Sequence, residues 1–133
     1  MQLTPEMNRQ FDDLLEQILA ELPEELRKLF EEIPLVVEDY PAMSLLRKLG
    51  IRRPDYLRGL HTGVPLTRRS VDHSGTLPTV ITIYRLGILS GAIDRNGRIN
   101  ARTLRTEIRK TVLHELGHHF GLDEADLRRY GYG

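Results

Sequence analysis

The chain of 133 residues carries 19 basic and 19 acidic side chains and no cysteine. This length predicts one domain over residues 1–133, in which residues 1–33 form helices packed on the core. The balanced charge lacks the basic surplus that nucleic-acid binding needs. The lack of cysteine excludes disulfides and thiolate metal sites. Because no apolar stretch approaches the ~20 residues of a membrane span and no signal-peptide pattern is visible at the start, we expect a soluble, cytoplasmic protein without a membrane partner.

The first third of the chain places apolar residues at the spacing of helices that bury one face. The predicted helices cover residues 7–22, 24–32 and 42–49. Pro23 suits the start of the second helix, because the first helical turn needs no N–H at that position. Gly50 is a typical residue at which the third helix would end. Residues 35–39 predict a short strand that stops before Pro41.

The middle of the chain, residues 51–78, is interrupted by glycine or proline and is expected to hold only short regular elements. The elements predicted there are strand pieces at 57–60 and 64–66 and a polar loop over 68–76. Residues 79–85 form the best predicted strand of the chain, because they are rich in β-branched side chains. Residues 87–97 are predicted to be a loop that ends in a turn over 94–97.

The last long helix is predicted from about Ala101 to Phe120, with Asn100 as its N-terminal cap. An apolar residue recurs every fourth position and predicts a buried stripe, formed by Leu104, Ile108, Val112, Leu116 and Phe120. Gly121 follows at the position where a left-handed residue usually ends a helix. Together the elements predict an α+β fold with helices packed on a small sheet.

Within this helix, His114-Glu115-Leu116-Gly117-His118 matches H-E-x-x-H. Residues four apart are separated by about 40° around a helix, so both imidazoles leave the same face. Two nitrogens can then reach one ion at the roughly 2.0–2.1 Å that zinc prefers. Glu115 lies about 100° further round, where its carboxylate can take a proton from a metal-bound water. The motif predicts a zinc site with Glu115 as general base; the alternative is a helix with two exposed histidines.

A catalytic zinc usually has three protein ligands, and the chain offers an acid just after the helix. Gly121 follows His114 by seven residues and lets the chain fold back, which would bring Glu124, ten residues after His114, to the ion. Glu124 is therefore the predicted third ligand. Asp123 is its nearest competitor and Asp126 a distant one, and Glu124 and Asp123 could instead be ordinary surface residues.

Five further residues could take part in such a site. His119 points to the apolar side of the helix, which predicts a core histidine. His61 and His73 are expected to be loop residues, with stabilisation of a transition-state oxyanion as the alternative. Glu107 and Thr111 share the His114 face and could support the ligands by hydrogen bonds, although Glu107 could also pair with a nearby surface cation.

At these residues the sequence resembles the small bacterial zincin-like metallopeptidase family, also called minimal zincins. The resemblance spans roughly residues 10–132, and its most specific blocks are 22–26, 36–39, 63–67, 77–84 and 109–121. It implies a zincin-like α+β core with a short mixed sheet and a C-terminal active-site helix. By matching position it implies zinc bound by His114, His118 and Glu124, with Glu115 as general base; similar sequences more often carry Asp at the Glu124 position.

The leading hypothesis for function is a zinc-dependent peptidase that hydrolyses peptide bonds in a peptide or protein substrate. Strand 80–84 could bind an extended substrate as an added strand, and Tyr84 or Tyr130 could stabilise the oxyanion or simply pack. One alternative is a metal-binding interaction module without turnover. Another is a metal-dependent nuclease, since the spacing of the ligands is similar to that of ribosomal-RNA processing hydrolases, but the neutral charge and the acid at Glu124 argue against it.

Overall fold

The computed structural model describes residues 1–62, 79–121 and 124–129, without the side chains of Glu124 and Leu127. The regular elements are α1 (Pro5–Glu21), α2 (Glu24–Glu32), β1 (Leu35–Glu38), α3 (Met43–Leu49), β2 (Gly59–Thr62), β3 (Val80–Tyr84), α4 (Arg85–Ser90), α5 (Ala101–His119) and α6 (Glu124–Arg129). The predicted strand at 64–66, the loop over 68–76 with His73, and residues Asp123 and Tyr130 lie outside the described residues. No helix in the described ranges is long and apolar enough to cross a bilayer.

The three strands form one mixed sheet in the order β1-β3-β2. β1 runs parallel to β3, with Leu35 opposite Ile81, and β2 runs antiparallel to β3, with Gly59 opposite Ile83. The α+β class with a short mixed sheet is therefore confirmed. The idea that β3 accepts a substrate strand is wrong, because β3 is the central strand and both of its edges are already paired. Within the described residues, the edge strand beside the last long helix is β2.

The core lies between α1, β3, α4 and α5. The predicted stripe of α5 is buried in it, as Leu104, Ile108 and Val112 are fully inaccessible and Leu116 is nearly so. Phe120 is only partly buried against this cluster. The other fully buried large side chains are Phe11 of α1, Ile81 and Ile83 of β3, and Ile88 and Leu89 of α4. This packing fixes the orientation of α5 about its axis, so the direction in which its opposite face points is fixed as well.

Both predicted ends of α5 are confirmed. The side chain of Asn100 accepts a hydrogen bond from the Thr103 N–H at 2.9 Å, which satisfies one of the unpaired N–H groups at the helix start. Gly121 has φ 71°, a left-handed conformation that costs glycine nothing. The chain therefore turns away from the helix axis directly after His118 and His119 and begins α6 at Glu124.

The loop predicted for residues 87–97 is wrong over its first part, because residues 85–90 form α4. Glycine is a poor helix former, and the sequence holds it at both Gly87 and Gly91. The structure shows why these glycines are there. A Cβ on Gly87 would lie 2.7 Å from the Leu57 carbonyl oxygen, and one on Gly91 would collide with the Arg58 guanidinium. The segment before β2 thus packs directly on α4, and burial of Leu86, Ile88 and Leu89 outweighs the weak helix propensity.

Candidate metal centre

Two imidazoles lie side by side on the solvent-facing side of α5. The ring centroids of His114 and His118 are 4.1 Å apart, with the ring planes tilted by 57°. This is the arrangement expected from their spacing of four residues on one helix. The prediction that the two side chains leave the same face is confirmed by this geometry.

Glu115 is a buried carboxylate at the edge of these histidines. Its side chain is only 9% exposed, and its Oε2 atom lies 3.8 Å from Nδ1 of His61 on β2. His61, Glu115 and His118 each offer one potential ligand atom within 4.8 Å of the others. His61 therefore lies in a strand beside the metal site, and the expectation that it is a loop residue is wrong.

Gly59 is the residue that allows β2 to approach α5 this closely. A Cβ on Gly59 would lie 2.9 Å from Cγ of Glu115 and 3.1 Å from Cγ2 of Thr111. Gly59 and His61 are two positions apart in a strand, so they face the same side of the sheet. The absence of a side chain at Gly59 makes room for Glu115, and the next residue on that face brings an imidazole to the site.

A cavity of about 360 Å³ adjoins the site on the side of the α5 N-terminus. It is lined by residues 56–59 and, from α5, by Glu107, Lys110, Thr111, His114 and Glu115. On its wall, Nη1 of Arg58 donates a hydrogen bond of 2.6 Å to the Glu107 carboxylate. The hydroxyl of Thr111 donates to the Glu107 carbonyl oxygen at 2.8 Å. Glu107 thus pairs with Arg58, which lies before β2, and not with a basic residue next to it on α5.

The environment of His118 favours the neutral imidazole that a metal requires. Its pKa lies below the ordinary value of 6.5, first because of partial burial and then because of the nearby His114. The Glu115 carboxylate acts in the opposite direction, and His61 lowers the pKa further. A neutral imidazole has a free nitrogen lone pair, so this shift favours metal binding near neutral pH.

His119 and Tyr84, two residues considered in the sequence analysis, are both buried. His119 is 3% exposed, with its ring edge-on to Phe120, which confirms that it belongs to the core. Tyr84 is also buried, and its pKa is raised by burial and by the neighbouring Glu38 carboxylate. A tyrosine held in this way is a packing residue, so the oxyanion role considered for Tyr84 receives no support.

The predicted acidic ligand is only partly located. Glu124 is the first residue of α6, which packs against α5 directly after the turn at Gly121. Its backbone is thus near the end of the motif helix, as the prediction requires, while its side chain lies outside the description. The competing acid, Asp123, also lies outside the described residues.

The sequence analysis did not identify Gly59 as a site residue, and it gave His61 a place in the site only as the alternative to a plain loop residue. The pattern that could have found them is their spacing of two within a strand, which puts both side chains on one face. The predicted strand at 57–60 ended one residue before His61, and the strand in the structure lies two residues later.

The donor set fits zinc, since imidazole nitrogens and a carboxylate are among its usual ligands. A helix that carries two imidazoles and a buried carboxylate, packed against β2 of a mixed sheet, is an arrangement that could hold a metal ion in the way an H-E-x-x-H motif does. The family model for zincin-like metallopeptidases matches residues 30–132. The chain therefore belongs to the zincin-like metallopeptidase family, which confirms the predicted resemblance and implies zinc binding. No curated protein matches the chain.

Proposed function

We propose that this chain is a zinc-dependent peptidase in which His114 and His118 hold the ion and Glu115 is the general base. The observation that carries the proposal is the position of Glu115. Its carboxylate is buried on α5 within 4.8 Å of potential ligand atoms of His61 and His118, and it borders the cavity of about 360 Å³ that a substrate can enter. Zinc, when bound, supplies Lewis-acid polarisation of the scissile carbonyl and lowers the pKa of water to about 7.

Glu115 moves the proton in this proposal. Its carboxylate accepts a proton from the attacking water and later delivers that proton to the nitrogen of the leaving amine. The Glu115 side chain is only 9% exposed and lies between α5 and β2, so little solvent surrounds it. Gly59 supports that role, since even a Cβ at this position would lie 2.9 Å from Cγ of Glu115.

We propose that the substrate backbone pairs with β2. Its inner edge is paired with β3, and no strand of the described residues lies on its outer edge. An extended peptide added there would receive backbone hydrogen bonds and pass next to His61 and Glu115. The sequence analysis suggested β3 as the strand that binds the substrate. We propose β2 instead, because β2 has a free edge in the described part of the chain.

We assign the third protein ligand to Glu124, as the sequence predicts. The support is the turn at Gly121, which redirects the chain directly after His118, and the start of α6 at Glu124. We also propose that residues 1–133 act as one domain, because Phe11 and Ile18 of α1 belong to the same core as α5.

The test compares the wild-type protein with Glu115→Gln and a matched control, Glu16→Gln, on the exposed face of α1. Each protein is loaded with zinc, its metal content is measured, and it is incubated with a peptide library that is read by mass spectrometry. We expect all three proteins to bind zinc. Cleavage by Glu115→Gln should fall by about 10²–10⁴-fold, the usual contribution of a general acid–base group, while the control keeps the wild-type rate.

Cleavage by Glu115→Gln at the wild-type rate would refute the role of Glu115. If the zinc-loaded wild-type protein cleaves no peptide in the library, the alternative of a metal-binding module without turnover replaces the peptidase proposal.

A further inference from the structure

Three imidazoles follow one another across the boundary between β2 and α5. The ring of His61 lies 5.9 Å from that of His118, edge-to-face at 68°, and His118 in turn lies 4.1 Å from His114. Two of these rings belong to the H-E-x-x-H helix. The third comes from a strand that is separated from that helix by about forty residues of sequence.

The position of His61 is fixed by the backbone on both sides. β2 is hydrogen-bonded to β3 with His61 opposite Ile81, whose side chain is fully buried. On the other side, the close approach at Gly59 holds the same strand against α5. The His61 side chain is 21% exposed, so it is directed into the groove between strand and helix and not into solvent.

The distances within this group suit a shared ion better than a direct contact. Nδ1 of His61 is 3.8 Å from Oε2 of Glu115, which is beyond the roughly 2.7–3.2 Å of a hydrogen bond. Two nitrogens that bind one tetrahedral zinc at about 2.0–2.1 Å are themselves roughly 3.3–3.4 Å apart. The potential ligand atoms of His61, Glu115 and His118 lie within 4.8 Å of one another, and His114 is not part of this group, so an ion shared with His114 requires the His114 ring to turn toward the other ligands.

We propose that His61 is a third imidazole ligand of the zinc ion, supplied by β2, alongside His114 and His118. The inference deepens the proposed function and rests on its metal site. With Glu124, which the proposed function assigns to the same ion, the chain would supply four protein ligands, and Glu115 would stay free to act as a base.

The experiment counts imidazoles on the metal and needs no substrate. Zinc K-edge X-ray absorption is recorded on the zinc-loaded wild-type protein and on His61→Phe, which keeps a ring against His118 but has no nitrogen. Thr62→Ala is the matched control, because Thr62 is the next residue of β2 and is exposed. We expect three imidazoles in the wild-type protein and in the control, and two in His61→Phe. Zinc affinity, measured by competition with a chromophoric chelator, should fall at least about tenfold only in His61→Phe.

Circular dichroism checks that each variant is folded, and His61→Asn takes the place of His61→Phe if the larger ring prevents folding. Two imidazoles in the wild-type protein would overturn the proposal, and so would three in a folded His61 variant. A wild-type protein that binds no zinc would overturn both this inference and the proposed function. Three imidazoles that fall to two, in a protein that cleaves no peptide, would support this inference and refute the peptidase alone.

Discussion

Replacement of Gly59 by alanine tests whether the close contact between β2 and α5 sets the position of Glu115. The new Cβ would lie 2.9 Å from Cγ and 3.3 Å from Cδ of Glu115, whereas carbon atoms prefer a separation of about 3.5–4.0 Å. Either β2 or the Glu115 side chain must therefore move by roughly half an ångström. Overpacking of this kind costs about 1–3 kcal/mol. A shift of this size in the general base should lower cleavage by about 10–100-fold, since misplacement by about 1 Å can cost 10²-fold.

The assay for Gly59→Ala combines thermal unfolding with the rate of peptide cleavage at saturating zinc. Ile108→Val is the control, because it removes one methyl from the fully buried face of α5 and costs about 0.5–1.5 kcal/mol without reaching the metal site. We expect both variants to unfold at lower temperature but only Gly59→Ala to lose most of its cleavage rate. Wild-type activity in a folded Gly59→Ala protein would show that the contact does not position Glu115.

Three further predictions concern the elements around the site. Asn100→Ala should lower the free energy of unfolding by about 1 kcal/mol through loss of the α5 cap, while Asn96→Ala should not, as chemical denaturation would show. Arg58→Met should lower the free energy of unfolding by about 1 kcal/mol, because Glu107 loses its ion pair with Arg58. An unchanged denaturation midpoint would contradict this. The folded-state pKa of His118 lies below the ordinary 6.5, so its stabilising contribution is present above that pH and is lost as the pH falls through the folded pKa. Metal-free wild-type protein should therefore lose more stability between about pH 8 and pH 5 than His118→Asn, and equal losses would refute this.

The sequence predicted the elements that depend on local patterns. The buried stripe of α5, its cap at Asn100 and its left-handed end at Gly121 all follow from residues within the helix or next to it, and the structure confirms them. The prediction that His114 and His118 face one direction has the same basis. These features could be inferred because helix spacing and capping act over a few residues.

The features that the sequence did not predict depend on contacts between distant segments. Residues 87–90 of α4 were predicted to be part of a loop, yet they are helical, and a Cβ on Gly87 would lie 2.7 Å from the Leu57 carbonyl oxygen. β3 was expected to receive a substrate, although its place at the centre of the sheet is decided by pairing with two other strands. Neither fact is encoded in the spacing of residues within a single element.

The same contrast explains why the sequence pointed to His114 and His118 as metal ligands but not to His61, which we propose from the structure. Spacing within α5 determines how His114 and His118 relate to each other, but the distance from His61 to His118 depends on the register of β2 with β3. A slip of one residue would turn His61 to the opposite face of the sheet and bring Leu60 or Thr62 toward α5. Zinc bound by His61 and the helix together would oppose that slip, because an ion that binds only the native register stabilises it by a free energy that grows with the logarithm of the ion concentration over its Kd. Metal binding and the pairing of β2 are therefore expected to be thermodynamically linked in this fold.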